Sequence, residues 1–77
     1  SWKCWMSTAD DIFKKGLDAY KAKNYKAAES AFLEILNTHP SMAEVLLNLG
    51  NVYFQQKRVA EAEATWLKTL DADPMVE

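Results

Sequence analysis

The sequence predicts an all-α fold, two helical hairpins stacked side by side as a fragment of an α-α superhelix. Three observations carry that prediction: the chain repeats itself with a period of 34 residues, its apolar residues fall at helical spacing, and each helix-length segment is bounded by capping or breaking residues. Shifting the chain by 34 aligns eight identical pairs, Ala9/Ala43, Gly16/Gly50, Lys23/Lys57, Ala28/Ala62, Glu29/Glu63, Leu33/Leu67, Leu36/Leu70 and Pro40/Pro74. Ile12/Leu46, Tyr20/Phe54 and Phe32/Trp66 keep their character.

The elements follow in order. Ser7 or Thr8 ahead of Asp10 and Asp11 reads as an N-cap with acidic first-turn residues, opening a helix over about 8–22 with Ile12, Phe13, Leu17 and Tyr20 on its apolar face. After the polar break from Lys21 to Asn24, Ala27, Ala28, Ala31, Phe32, Ile35 and Leu36 define a second helix over about 25–38. Pro40 disfavours helical geometry in His39 and closes it. Ser41, three residues before Glu44, reads as a capping box for a third helix over about 42–56, carrying Val45, Leu46, Leu49, Val52 and Tyr53. A fourth, over about 59–72, carries Ala60, Ala62, Trp66, Leu67 and Leu70 and is closed by Pro74. The expected division is an N-terminal Trp-rich extension or cap at 1–8, repeat one at 9–42 and repeat two at 43–76.

Composition narrows the function classes. The chain is 49% hydrophobic and 26% charged, outside the signature of disorder. A net charge of -2 argues against a phosphate-backbone binder, so no nucleic-acid partner is expected. No apolar run approaches the length of a membrane span. One cysteine cannot form an internal disulfide or by itself a metal site, and nothing implies a metal or cofactor. The compartment stays open, with the cytoplasm slightly favoured. Lys14, Lys15, Lys21, Lys23 and Lys26 look like a basic run, yet five acidic residues, Asp10, Asp11, Asp18, Glu29 and Glu34, balance repeat one to zero. Repeat two, with three basic and five acidic residues, carries -2.

Together, Ile12, Gly16, Ala28, Phe32 and Pro40 in the first unit, and Leu46, Leu49, Gly50, Tyr53, Ala62, Trp66 and Pro74 in the second, resemble the tetratricopeptide repeat pattern. Lys15 and Ala19 in repeat one, and Ile35 and Thr69 where Ala is usual, depart from it. The physical reading runs beside the resemblance: a helical glycine costs about 1 kcal/mol relative to Ala, so Gly16 and Gly50 are expected to serve packing. Paired with Ala28 and Ala62, they would let the hairpin backbones approach, with Phe32 and Trp66 filling space toward neighbouring helices.

The resemblance implies a protein-binding module and no enzyme, with a concave groove lined by the first helix of each repeat. The facing positions are Asp10, Phe13, Lys14, Leu17, Tyr20 and Lys21, then Glu44, Leu47, Asn48, Asn51, Phe54 and Gln55. Such a surface suits a peptide with apolar anchors and a backbone held by amides. Asn48 and Asn51 share one helix face, where Asn is a poor interior residue, and read either as ligand contacts or as side chains that are solvated or cap a neighbouring loop. The family's clamp for a terminal carboxylate is not expected, because Phe13 and Leu17 stand where it needs Lys and Asn. His39, in a Thr-His-Pro turn, reads as a loop residue.

Stacked repeats usually need at least three units. The alternative function is therefore assembly or self-association through the ends of the stack, giving a homo-oligomer. The opening Ser1-Trp2-Lys3-Cys4-Trp5-Met6 reads as an improvised cap or a leftover tail, and Cys4 has no basic or histidine partner to make it a nucleophile.

Overall fold

A computed structural model describes the backbone of residues 2–72 and the side chains of 8–72. It contains four helices, α1 (Trp2–Lys21), α2 (Tyr25–Thr38), α3 (Ala43–Gln55) and α4 (Val59–Ala72). Each packs on the next, α1 on α2, α2 on α3 and α3 on α4. The described part of the chain is all-α.

The helix boundaries differ from the sequence reading at two starts. α1 begins at Trp2, so neither Ser7 nor Thr8 caps it. No Gly or Pro stands between Trp2 and Thr8 to stop a helix from running back, and a Ser-Thr pair inside a helix costs only a fraction of a kcal/mol per residue. The proposed role of Trp2, Trp5 and Met6 as a cap concerns side chains outside the described set, as does Cys4. Pro74 also lies beyond the described residues.

At α3 the capping box is not formed. Met42 is the N-cap and makes no side-chain cap bond. The Met42 amide donates to His39 O at 3.3 Å, closing a turn through Pro40 and Ser41. Ser41 is consumed as the third residue of that turn, one position too early to reach the helix amides. His39 itself lies outside the helical region, with φ -131° and ψ 71°, in keeping with the bias of a residue before proline against helical geometry.

The two hairpin turns are twins. Lys23 and Lys57 both take the left-handed conformation, with φ of 64° and 65°. Each follows the last turn of a first helix, and the next residue's amide reaches back to satisfy a helix-end carbonyl, Asn24 N to Ala19 O at 2.8 Å and Arg58 N to Tyr53 O at 2.9 Å. Asn24 then caps α2, its side-chain oxygen accepting from the Ala27 amide at 3.4 Å.

The core lies at the seam between the repeats. Ala28, Phe32 and Ile35 of α2 form one buried cluster with Val45, Leu49 and Val52 of α3, and Phe13, Leu17, Tyr20 and Leu36 pack against it. α4 departs from the expected stripe. It buries Ala62, Thr65 and Thr69 and leaves Leu67 63% and Leu70 49% exposed. The buried hydroxyls are satisfied within the helix, Thr65 Oγ1 donating to Glu61 O at 2.8 Å and Thr69 Oγ1 to Thr65 O at 3.3 Å.

At the glycines the nearest contact is with an aromatic ring of the return helix. A Cβ at Gly16 would lie 2.6 Å from Cε1 of Phe32, and one at Gly50 would overlap the indole of Trp66. Each glycine admits the aromatic ring of its own hairpin's second helix, so Phe32 and Trp66 face inward onto Gly16 and Gly50. It is this ring-on-glycine fit that accounts for a residue otherwise unfavourable in a helix.

Candidate functional site

The residues expected to line a groove divide into two sets. On α3, Asn48, Asn51 and Gln55 lie three and four apart and so share a face. Leu47 and Phe54 lie seven apart on another face, about a quarter-turn round the helix. That second face meets α4: the Trp66 indole Nε1 donates to Leu47 O at 3.4 Å, and the Phe54 and Trp66 rings stand 5.9 Å apart.

α1 shows the same division. Lys14 and Lys21 are exposed and Leu17 is half-buried. Phe13 and Tyr20 turn into the seam, Phe13 against Phe32 at 5.8 Å between centroids and Tyr20 edge-on to Tyr25 at 5.6 Å. The face related by one repeat is therefore Lys14, Leu17 and Lys21 on α1 and Asn48, Asn51 and Gln55 on α3, with exposed Asp10 and Glu44 one turn before Lys14 and Asn48.

The two asparagines are not equivalent. Asn48 Nδ2 donates to Glu44 O at 2.8 Å, one turn back on its own helix, which uses part of its amide. Asn51, half-buried, has no hydrogen-bond partner among the described residues. Its amide can donate twice and accept twice.

A second polar constellation was not singled out from the sequence. Arg58, the chain's only arginine, bonds Glu29 of α2 through Nη1 at 2.8 Å. Its Nε and Nη2 grip both oxygens of Glu61, at 2.7 and 2.8 Å. The guanidinium lies 4.5 Å from the centroid of Tyr53. Gln56 Nε2 donates to the same Glu29 oxygen at 3.3 Å. The bonds to Glu61 and Glu29 raise the Arg58 pKa, and the Arg58 bond holds Glu61 below the usual carboxylate range. Burial, with Glu29 adding to it, raises the Tyr53 phenol above 10.0 against the opposing pull of Arg58. The cluster ties the turn of the second hairpin to the second helix of the first. A lone arginine among eight lysines was the available signal, since bidentate pairing favours guanidinium over ammonium.

His39 sits in the exposed α2–α3 turn, its Nδ1 2.9 Å from Thr38 Oγ1. No group of three or more His, Cys, Asp or Glu side chains converges to hold a metal ion among the described residues. No helix there is long and apolar enough to cross a membrane.

Comparison with known families gives a match to the tetratricopeptide repeat over residues 13–74, most of the chain. The chain belongs to the tetratricopeptide repeat family. No curated protein matches it as a relative. Tetratricopeptide repeats are generally protein–protein interaction modules and typically non-enzymatic scaffolds.

Proposed function

We propose that this tetratricopeptide pair binds an extended segment of a partner protein along the polar face of α1 and α3. The observation that carries the reading is Asn51: a half-buried amide, one helical turn from Asn48, with no partner among the described residues. An amide so placed can take the N–H and C=O of a peptide backbone in place of water. Lys14 and Lys21 on α1 add charge for acidic side chains, and half-buried Leu17 offers an apolar contact. Phe13 and Tyr20 border the face, their rings packed on Phe32 and Tyr25.

The test is selection of peptides that bind the chain, followed by NMR mapping and an Asn48→Ala, Asn51→Ala variant. Shifts centred on the Asn48 and Asn51 side-chain amides, with affinity falling about tenfold on the double change, support the reading. Peptides that bind equally well to the variant would sink it.

A second reading, association through the end of the stack, is favoured by a separate observation. Phe54 is 51% exposed, Leu67 63% and Leu70 49%. Sedimentation across a wide concentration range separates it from groove binding.

A further inference from the structure

Lysine stands at the same turn position in both hairpins, Lys23 and Lys57, and in both it is held left-handed, with φ of 64° and 65°. Glycine adopts that conformation freely, whereas a side chain there costs conformational free energy. Both lysines are exposed, and neither ammonium makes an ion pair or hydrogen bond among the described residues. A strained backbone that carries an unused charge, at the same register in both repeats, points to a role outside the fold.

The two turns lie at one end of the molecule, since Arg58, next to Lys57, reaches Glu29 near the start of α2 at 2.8 Å. The same arginine grips Glu61, so two carboxylates at this end are already engaged. Lys21 and Lys26, exposed and likewise unpaired among the described residues, extend the basic edge along the end of α1 and the start of α2. Asp18, in the register of Val52, lies on the flank of α1 turned away from the second turn.

The opposite end is acidic. There Thr8 and Ala9 share a hollow with Thr38 and His39. Asp10, Asp11, Glu34 and Glu44 stand around that end, exposed and without ion pairs among the described residues. The charges of repeat one cancel in sum and separate in space.

We infer that Lys23 and Lys57, together with Lys21, bind a cluster of acidic residues in the partner segment, just beyond the stretch held on α1 and α3. This rests on the groove reading, because Lys21 is both the last residue of that face and the first of the basic edge. Asp10 and Glu44 repel such a cluster at the other end of the face. The segment therefore lies in one direction, with its acidic residues at the turns. A chain of net charge -2 is a poor match for a nucleic acid or a broad anionic surface, whereas a short acidic stretch needs only this edge.

The probes are octaglutamate and a groove-selected peptide carrying four glutamates, or four glutamines, at either terminus. Glutamates at one terminus should strengthen binding roughly fivefold over glutamines at low salt, and at the other terminus should not. The Lys23→Gly, Lys57→Gly double change should remove that gain while leaving the glutamine peptide unaffected, and the double Lys→Arg change should keep it. The circular-dichroism melt of the glycine variant should rise, because glycine takes these turns without strain. Octaglutamate, which needs no groove, should shift the Lys23 and Lys57 amides in NMR spectra ahead of those at Asn48 and Asn51.

Turn amides unmoved by octaglutamate overturn the inference, whatever the groove binds. A gain that survives the double glycine change overturns it and leaves the groove reading intact. A glycine variant that melts lower also overturns it, since the lysines then serve the helix C-termini. Tighter binding to phosphatidylserine vesicles than to either acidic peptide overturns it in favour of a membrane surface.

Discussion

Replacing Gly16 and Gly50 by alanine makes the same chemical change at the same place in each repeat, yet the structure predicts different outcomes. At either site alanine gains about 1 kcal/mol of helix propensity. At Gly16 the new Cβ lies 2.6, 2.9 and 3.0 Å from Cε1, Cζ and Cδ1 of Phe32, where carbon contacts relax at about 3.5–4.0 Å. Phe32 is fully buried and cannot retreat without moving the whole seam. Overpacking of that kind costs about 1–3 kcal/mol, and three ring atoms in conflict place it in the upper half of the range. The expected net loss is about 1–2 kcal/mol, a fall in Tm of roughly 4–16 °C for a domain this size. At Gly50 the overlap with Trp66 is closer, but that indole is half-exposed at the open end and can swing toward solvent. It gives up only the weak bond to Leu47 O and part of its contact with Phe54, about 1 kcal/mol together, so the net change at Gly50 is near zero. Urea denaturation followed by circular dichroism measures both. Pairing Gly16→Ala with Phe32→Leu should reduce the cost of the alanine, since the smaller side chain vacates the space. A Gly16→Ala chain as stable as the parent, or a larger loss at Gly50, would refute the reasoning.

Three further predictions concern the turns and the arginine cluster. Lys23→Gly and Lys57→Gly should each stabilise the chain by about 0.5–1 kcal/mol, because both lysines hold a left-handed conformation that glycine adopts without strain; differential scanning calorimetry reads the change. Asn24→Ala should cost about 0.5–1 kcal/mol through the lost cap, whereas Ser41→Ala should stay within about 0.3 kcal/mol because Ser41 is not the residue capping α3. Since Arg58 lowers the Glu61 pKa in the folded state, its contribution is complete above the unfolded value near 4.5 and is lost as pH falls through the folded value. The urea midpoint should therefore drop more steeply from pH 6 to 3 in the parent than in Glu61→Gln, and parallel slopes would exclude the pair as a source of stability.

The fold was legible because its signals are local and stated twice. Apolar spacing, Pro40 and the polar breaks mark each helix within a few residues, and the ranges 25–38 and 59–72 agree with α2 and α4. Legibility failed at two helix starts, where one local signal overrode another. Ser41 and Glu44 have the spacing of a capping box, but the Pro40 turn takes Ser41 first. Ser7 and Thr8 look like a helix start, but nothing before them ends a helix.

The residues expected to line a groove fell on two faces, and their cover differs. Phe13, Tyr20, Leu47 and Phe54 are exposed or half-buried according to which helix covers them, and a pattern of residue types does not record the cover. Asn51 and Asn48 read alike in sequence, and only the structure shows Asn48 bound to Glu44 O and Asn51 left without a partner.

By itself the sequence determined four helices, two like hairpins and the family, because periodicity and repetition are properties of the chain. The tertiary structure decided which equivalent residues became different. Phe32 is sealed by α3 and Trp66 is not; Glu29 holds Arg58 and Glu63 holds nothing among the described residues. Repetition makes the two units alike, and stacking makes them unlike, since one repeat has a neighbour across its apolar face and the other has none among the described residues.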